Sequence, residues 1–270
     1  MTSNIAVIGF GNIAKAIITP LLDKKLLNPK DVYCLVNSKK SIENIRKNYK
    51  YGINILQANS EDSNIVWECQ VKLLSVKPQQ LKNIFELKNN LSNENLLISI
   101  LAGVSIDKLI KKFPNHKCAR VVTNIPITIG KGLTGISWGE GISENQKKFT
   151  KKLFESSSKI YEFPEDSLDI FLALTSSGPA IIALIIEALS DGGLSGGLQK
   201  KLSEELVMDM ISGTISLIKD TNITTAELKN MVTSPGGTTI SALRVLEKKS
   251  LRSALIEAVV SASNRSKEFR

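Results

Sequence analysis

Apolar residues follow two different rhythms along this chain. Over residues 1–162, short and partly β-branched apolar runs recur: IAVI at 5–8, DVYCLV at 31–36, INIL at 53–56, VKLLSV at 71–76, NLLISI at 95–100 and KCARVV at 117–122. Segments with helical spacing, at 12–25, 40–49, 61–68, 79–88 and 105–112, separate most of them. Strands alternating with helices predict βαβ units and a parallel sheet. Runs apolar at nearly every position predict strands covered on both faces. GLTGISWG (132–139), SENQKKFTKKLFES (143–156) and KIYEF (159–163) add a strand, a helix and a last strand, with Ser143 and Gln146 spaced as a capping box.

After Pro164 the periodicity is helical. PAIIALIIEALSDGG follows Gly178, so that Gly178-Pro179 marks a helix start and Gly192-Gly193 its expected end. That helix is apolar nearly all round, which predicts burial on every side, in a subunit core as well as a domain core. A long helix over 198–220 and a Thr224-capped one over 224–232, with Glu227 three residues on, come next. TTISALRVLEKKS and LRSALIEAVVSASNRSKEF close the chain. The expected division is 1–162, an α/β domain with a mostly parallel sheet, and 163–270, an all-helical domain.

Composition narrows the class. The 270 residues are 42% hydrophobic and 23% charged, enough to bury a core. The start, MTSNIAVIGFGN, lacks a basic leader, and the most apolar stretch, 180–189, is too short to span a bilayer and carries Glu187. No secretory leader and no membrane association are therefore expected. Three scattered cysteines without a C-x-x-C speak for a reducing, cytoplasmic compartment. The one histidine, His116, lies beside Lys117 and close after Lys111 and Lys112, which predicts a solvated loop; neither a metal site nor a histidine-based triad is expected. Net charge is +9, but the lysine doublets are spread from 24–25 to 248–249 without interleaved aromatics, which argues against nucleic acid and for a solvated basic surface.

Chemistry concentrates where predicted strands end. GFGNIA places Gly9, Gly11 and Ala14 in a G-x-G-x-x-A pattern after a strand and at a helix start. Gly9 allows the tight turn, Gly11 lets a pyrophosphate approach the backbone, and Asn12 and Ile13 open the helix whose amides would meet it. The first domain is therefore expected to be Rossmann-like and to bind a dinucleotide. At the end of the second strand, VNSKK carries no acid for ribose hydroxyls; Asn37 and Ser38 offer hydrogen bonds, and Lys39 or Lys40 a charge for a 2′-phosphate. NADPH is expected, with NADH possible. Ser75, Lys77 and Pro78 after the fourth strand, Ala102 and Gly103 after the fifth, and Asn124 after the sixth are expected to rim the same crevice.

MVTSPGGTTI at 231–240 breaks the helical domain. Ser234 is expected as an N-cap and Pro235 at the first helical position. Gly236, Gly237 and Thr238 would then bare amides with no intrahelical partner, forming a cradle for a carboxylate-sized anion, with the Thr238 and Thr239 hydroxyls beside it.

These pieces together resemble the pyrroline-5-carboxylate reductase family. NMVTSPGGTTISALRVLE carries most of the resemblance, supported by VKPQ, AGVS, RVVTNIP and TSSGPA in the same order. The resemblance implies a Rossmann-like domain followed by interlocking helical domains that form a homodimer and often larger assemblies. It implies reduction of 1-pyrroline-5-carboxylate to L-proline, the last step of proline biosynthesis. It assigns the substrate to Ser234, Gly236, Gly237, Thr238 and Thr239, with Thr239 near the imine nitrogen as the catalytic residue. Asp62 falls where relatives offer the cofactor an asparagine; Asn59 and Asn64 are the neighbouring alternatives. Two other readings stay open: a related imine or β-hydroxyacid reductase, for which Lys200 and Lys201 lack the usual surroundings, and a non-catalytic nucleotide-binding homologue.

Overall fold

The computed structural model describes residues 4–84 and 95–269. Eight strands form one sheet in the order β3-β2-β1-β4-β5-β6-β7-β8. They are β1 (Ile5–Ile8), β2 (Val32–Val36), β3 (Asn54–Gln57), β4 (Val71–Leu74), β5 (Leu96–Ser99), β6 (Lys117–Thr123), β7 (Gly132–Trp138) and β8 (Ser158–Glu162). The pairings are parallel except β6 with β7. The expected mostly parallel sheet is therefore present, with the antiparallel pair sharing a register centred on Val121 opposite Ile136.

Two-residue alternation distributes the strand side chains to two cores. Ile5, Val7, Val71, Leu73, Leu96 and Ile98 point to one face, where α1 (Asn12–Asp23), α2 (Lys39–Asn48) and α5 (Glu144–Glu155) contribute Ile17, Ile45 and Phe154. Ala6, Ile8, Leu74 and Leu97 point to the other, against Val66 and Trp67 of α3 (Ile65–Glu68) and Leu109 of α4 (Ile106–Lys112). Each fully buried branched side chain contributes about 1.5–3 kcal/mol, which is why β1, β4 and β5 read as unbroken apolar runs. The Ser143–Gln146 capping box opens α5.

Several expected helices come out shorter. The 61–68 segment is a 3₁₀ turn (Glu61–Asn64) and one turn of α3; the 79–88 segment is a 3₁₀ stretch, Pro78–Asn83, and residues 85–88 lie outside the described ones. Asn64 does not cap α3 through its side chain, and the chain turns extended at Cys69.

His116 is not solvated. It is 5% exposed, edge-on to Trp67 and Phe113, and burial, with a smaller push from Lys72, takes its pKa down to about 3. The flanking lysines belong to the surface; the imidazole fills the second core.

By its contacts the chain forms two compact units, Met1–Ser176 with Ala262–Arg270, and Ser177–Ser261. The change of rhythm at residue 162 and this division do not coincide, because α6 (Leu168–Thr175) packs on β6 and β7. A buried ion pair fastens it: Arg120 on β6, fully buried, donates to Asp169 at 2.8 Å and to Glu165 at 3.2 Å. Ser266, near the end of α11 (Leu251–Lys267), donates to the same Asp169 carboxylate at 2.9 Å. Such a pair is favourable only when its hydrogen bonds are supplied, and removing one partner costs about 3–5 kcal/mol.

The second unit is helical: α7 (Gly178–Ser195), α8 (Lys200–Thr221), α9 (Thr225–Met231), α10 (Thr238–Lys248) and most of α11. Helix α7 does not stop at Gly192-Gly193. A Cβ on Gly193 would lie 2.2 Å from the Ser203 hydroxyl of α8, so this glycine permits close approach of two helices. Ser203 also donates to the Ser190 carbonyl at 2.7 Å. The helix ends instead at Gly196 and Gly197, where φ is +98° and Leu198 N–H reaches back to Gly193 O.

Nor is α7 buried on every side within one chain. Ile182, Leu184, Leu189 and Leu194 are 45–65% exposed, and Ser190 alone among its described residues is buried. The run Glu165–Ser195 is also long and apolar enough to cross a membrane, by length and composition only. The 180–189 stretch by itself had indicated no such run; adding the residues before it supplies the length.

Candidate functional site

Two structural features could carry chemistry, one in each unit. In the first, β1 and β4 are neighbours whose following segments leave in opposite directions, which opens a crevice at their carboxyl ends. Gly9 turns the chain there at φ +89°, with its N–H bonded to Leu35 O at 2.9 Å. A Cβ at Gly9 would stand 2.7 Å from the Ser75 carbonyl, so the close approach of the β1 and β4 ends demands glycine. Gly11 caps α1, and nothing lies within 4 Å of where its Cβ would be. That open space faces helix-start amides, since the first backbone bond back to this turn is Lys15 N–H to Gly11 O at 3.0 Å. The arrangement suits a phosphate or pyrophosphate.

The crevice is a cavity of about 650 Å³. Gly9, Gly11, Asn37, Ser75 and Lys77, all singled out from the sequence, line it together. Lys77 is exposed, and its N–H is held by Gln80 Oε1 at 3.1 Å. Asn59 lines it too, in a left-handed conformation at φ 66°, whereas Asn64 and Asp62 are not among its walls.

Other expected rim residues stand apart from the cavity walls. Asn12 and Ile13 open α1 beside it, and Ser38 caps α2 by accepting from Ser41 N–H at 3.2 Å. Lys39 and Lys40 begin α2 exposed, and Pro78 starts the 3₁₀ stretch. Gly103, at φ +70°, is a contact glycine: its Cβ would overlap Phe269, 2.4 Å away, beside exposed Ala102. Asn124 is buried and structural, donating to Thr175 O at 3.1 Å and accepting from Leu133 N–H at 2.8 Å.

Sequence reasoning passed over Lys15, Ser41 and Asn44, which do line the cavity. The signal was present. Apart from Asp23 at its end, Lys15 is the one charged residue in the apolar helix NIAKAIITPLLD, one turn past Gly11. It faces β2, where burial pushes the Cys34 thiol up to about 12 and the Lys15 charge partly opposes the rise.

In the second unit, SPGG is a type II turn. Gly237 N–H bonds Ser234 O at 3.1 Å, Pro235 holds the second position, and Gly236 the third at φ +69°. The expected Ser234 N-cap is therefore displaced by three residues: Gly237 caps α10. A Cβ at Gly237 would meet the Ser234 hydroxyl at 2.5 Å, so that exposed side chain would have to turn aside. The Gly237 N–H is used by the turn. The first backbone bond returning along α10 is Ser241 N–H to Gly237 O at 3.3 Å, so the open amides are those of Thr238, Thr239 and Ile240. They lie past bare glycine backbone at the positive end of an eleven-residue helix. Thr239 is half-buried and Thr238 exposed.

A doubly wound sheet with a glycine turn at its switch point, joined to a helical unit, defines the class: a Rossmann-type two-unit α/β protein. Comparison with known proteins narrows it. Residues 165–269 match the model for pyrroline-5-carboxylate reductase dimerisation, and residues 4–103 that for NADP oxidoreductase, coenzyme F420-dependent. The chain is 37% identical to the pyrroline-5-carboxylate reductase of Synechocystis sp. over 100% of its length and 99% of the relative's. It is 34% identical to that of Arabidopsis thaliana, covering 97% and 94%. Among solved structures, the Coxiella burnetii pyrroline-5-carboxylate reductase aligns over 100% of this chain and 99% of its own, with TM-score 0.83 and 30% identity. The Plasmodium falciparum pyrroline carboxylate reductase with NADP bound aligns with TM-score 0.84 and 27% identity, over 99% and 98%. The chain belongs to the pyrroline-5-carboxylate reductase family.

Proposed function

We propose that this chain reduces 1-pyrroline-5-carboxylate to L-proline with NADPH, NADH also serving, as a cytoplasmic homodimer. The observation that carries the reading is the amide row at Thr238–Ile240 behind the SPGG turn, in a chain that is 37% identical over its full length to a pyrroline-5-carboxylate reductase.

The dinucleotide would lie in the 650 Å³ cleft, its pyrophosphate over the open space at Gly11, with Gly9, Asn37, Ser75 and Lys77 as walls and Asn59 in place of the relatives' asparagine. When bound, it supplies hydride. The chain's own task is to orient. The α10 amides and helix dipole hold the substrate carboxylate. The Thr239 hydroxyl would accept a hydrogen bond from the protonated ring nitrogen and orient the imine for hydride transfer. A protonated imine accepts hydride without further acid catalysis, which agrees with a chain whose one histidine is a buried core residue.

Dimerisation follows from the apolar surface of the second unit. Leu184 on α7, Met208 and Met210 on α8 and Ile256 on α11 are 50–65% exposed. A surface of that kind marks an interface, and a second copy would cover the α7 helix that one chain leaves bare.

The test is NADPH oxidation with and without pyrroline-5-carboxylate, run on the wild type and on Thr239→Ala. Imine-dependent oxidation is expected, and Thr239→Ala should lower kcat/KM by about 10–1,000-fold, comparable to losing one oriented hydrogen bond in the transition state. Wild-type kinetics in the variant would remove Thr239 from the mechanism.

A further inference from the structure

The cleft walls differ from the sequence expectation at the end where β2 meets α2. The two lysines that begin α2, Lys39 and Lys40, are exposed and stand outside the cavity. Lys15 lines the cavity from α1, and Ser41 and Asn44 line it from α2. We infer that Lys15, with Asn44 and Ser41, is the group that reads the 2′-phosphate and so sets the preference for NADPH over NADH.

Three observations carry this, and it rests on the cleft being the dinucleotide site. First, α1 and α2, which pack on the same face of the sheet, both contribute walls to the pocket beside the end of β2. Asn37, the strand-end residue beside which a ribose 2′-position falls in this architecture, lines the same space. Second, no acidic residue is among the described cavity walls, so none of those residues accepts from ribose hydroxyls as a carboxylate would or repels a phosphate dianion. Third, the polar groups are set as donors. Asn44 Oδ1 accepts from Asn48 Nδ2 at 2.6 Å, which leaves the Asn44 NH₂ to donate. Lys15 is partly buried on an otherwise apolar helix, so water screens its charge less than it screens Lys39 or Lys40. A partly buried lysine in the cavity wall can meet a phosphate directly; an exposed lysine outside the cavity contributes mainly long-range attraction.

The expected effect follows from the strength of one charge-assisted contact to phosphate, which corresponds to roughly a 10–100-fold change in affinity. The experiment measures dissociation constants by fluorescence titration with NADPH and NADH, and by calorimetry with adenosine 2′,5′-bisphosphate and adenosine 5′-monophosphate. The proteins are the wild type, Lys15→Gln, Lys15→Arg and the double variant Lys39→Gln/Lys40→Gln, each checked for its native thermal transition. Lys15→Gln should weaken NADPH and the bisphosphate by about tenfold or more while NADH and the monophosphate change by less than about threefold. Lys15→Arg should restore most of the discrimination, and the double variant should retain it. Equal weakening of both dinucleotides in Lys15→Gln, or loss of discrimination in the double variant instead, overturns the assignment while leaving the cleft as the cofactor site. A wild type that binds neither dinucleotide nor either fragment overturns the cofactor reading itself. Should Lys15→Gln lack a native transition, Lys15→Arg and Asn44→Asp decide: an acid at 44 should reverse the preference toward NADH, and an unchanged NADPH preference in Asn44→Asp refutes the assignment.

Discussion

His116 shows how much one buried side chain can govern. Its imidazole sits against Trp67 and Phe113 with its pKa down at about 3, chiefly through burial, against an ordinary value of 6.5. The folded state therefore favours the neutral ring. Between those two values the unfolded chain binds the extra proton and the folded chain does not. The stability this burial supplies is fully present above about pH 6.5 and is lost as the pH falls toward 3, by at most about 1.4 kcal/mol per pH unit. Urea unfolding across that window should show the slope, and His116→Phe should flatten it. An unchanged slope in the variant would place the titration elsewhere. The sequence pointed the other way because lysines flank His116, and neighbours along the chain say nothing about which way the ring turns.

At the scale of elements, the SPGG turn and α10 form one device. Gly236 holds φ +69°, a left-handed conformation that a side chain adopts at a cost of about 1–2 kcal/mol. Gly236→Ala should distort the turn that sets the Thr238–Ile240 amides. The expected outcome is a KM for the imine raised about tenfold with the NADPH dissociation constant unchanged, read from steady-state kinetics beside a cofactor titration. Equal loss of cofactor affinity would show that the turn acts more broadly.

The eight strands were legible from the sequence because each is a short apolar run closed by polar or glycine residues, and the structure has them all within a residue or two. The cleft was half legible. Gly9, Gly11, Asn37, Ser75 and Lys77 follow strands, and the topology brings strand ends together. Lys15 and Asn44 lie inside helices, where only the packing angle decides which face meets the cavity. Gly103 and Asn124 look like rim residues by position, yet close contact with Phe269 and bonds to Thr175 and Leu133 account for them. The Gly192-Gly193 pair looked like a helix end; the approach of Ser203, invisible in sequence spacing, explains it.

At the scale of the whole molecule, the helical unit leaves more apolar surface in solvent than a lone chain tolerates. Leu184 is 65% exposed and Ile256 59%. A second copy covering the exposed face of α7 would resolve this. Leu184→Glu places a charge where that contact falls, and burying an unpaired charge costs several kcal/mol. Sedimentation should show the wild type as a dimer or a larger even assembly and the variant shifted toward monomer. A variant that sediments like the wild type would move the interface off α7.

Catalysis requires hydride to reach one carbon of one small heterocycle held by its acid group. NADPH deuterated at the transferable position of the nicotinamide, incubated with pyrroline-5-carboxylate and the enzyme, tests that most directly. Mass spectrometry and NMR of the product should find L-proline carrying one deuterium on the ring carbon next to nitrogen and remote from the carboxylate. Unlabelled proline, or labelled cofactor consumed without proline, would contradict it.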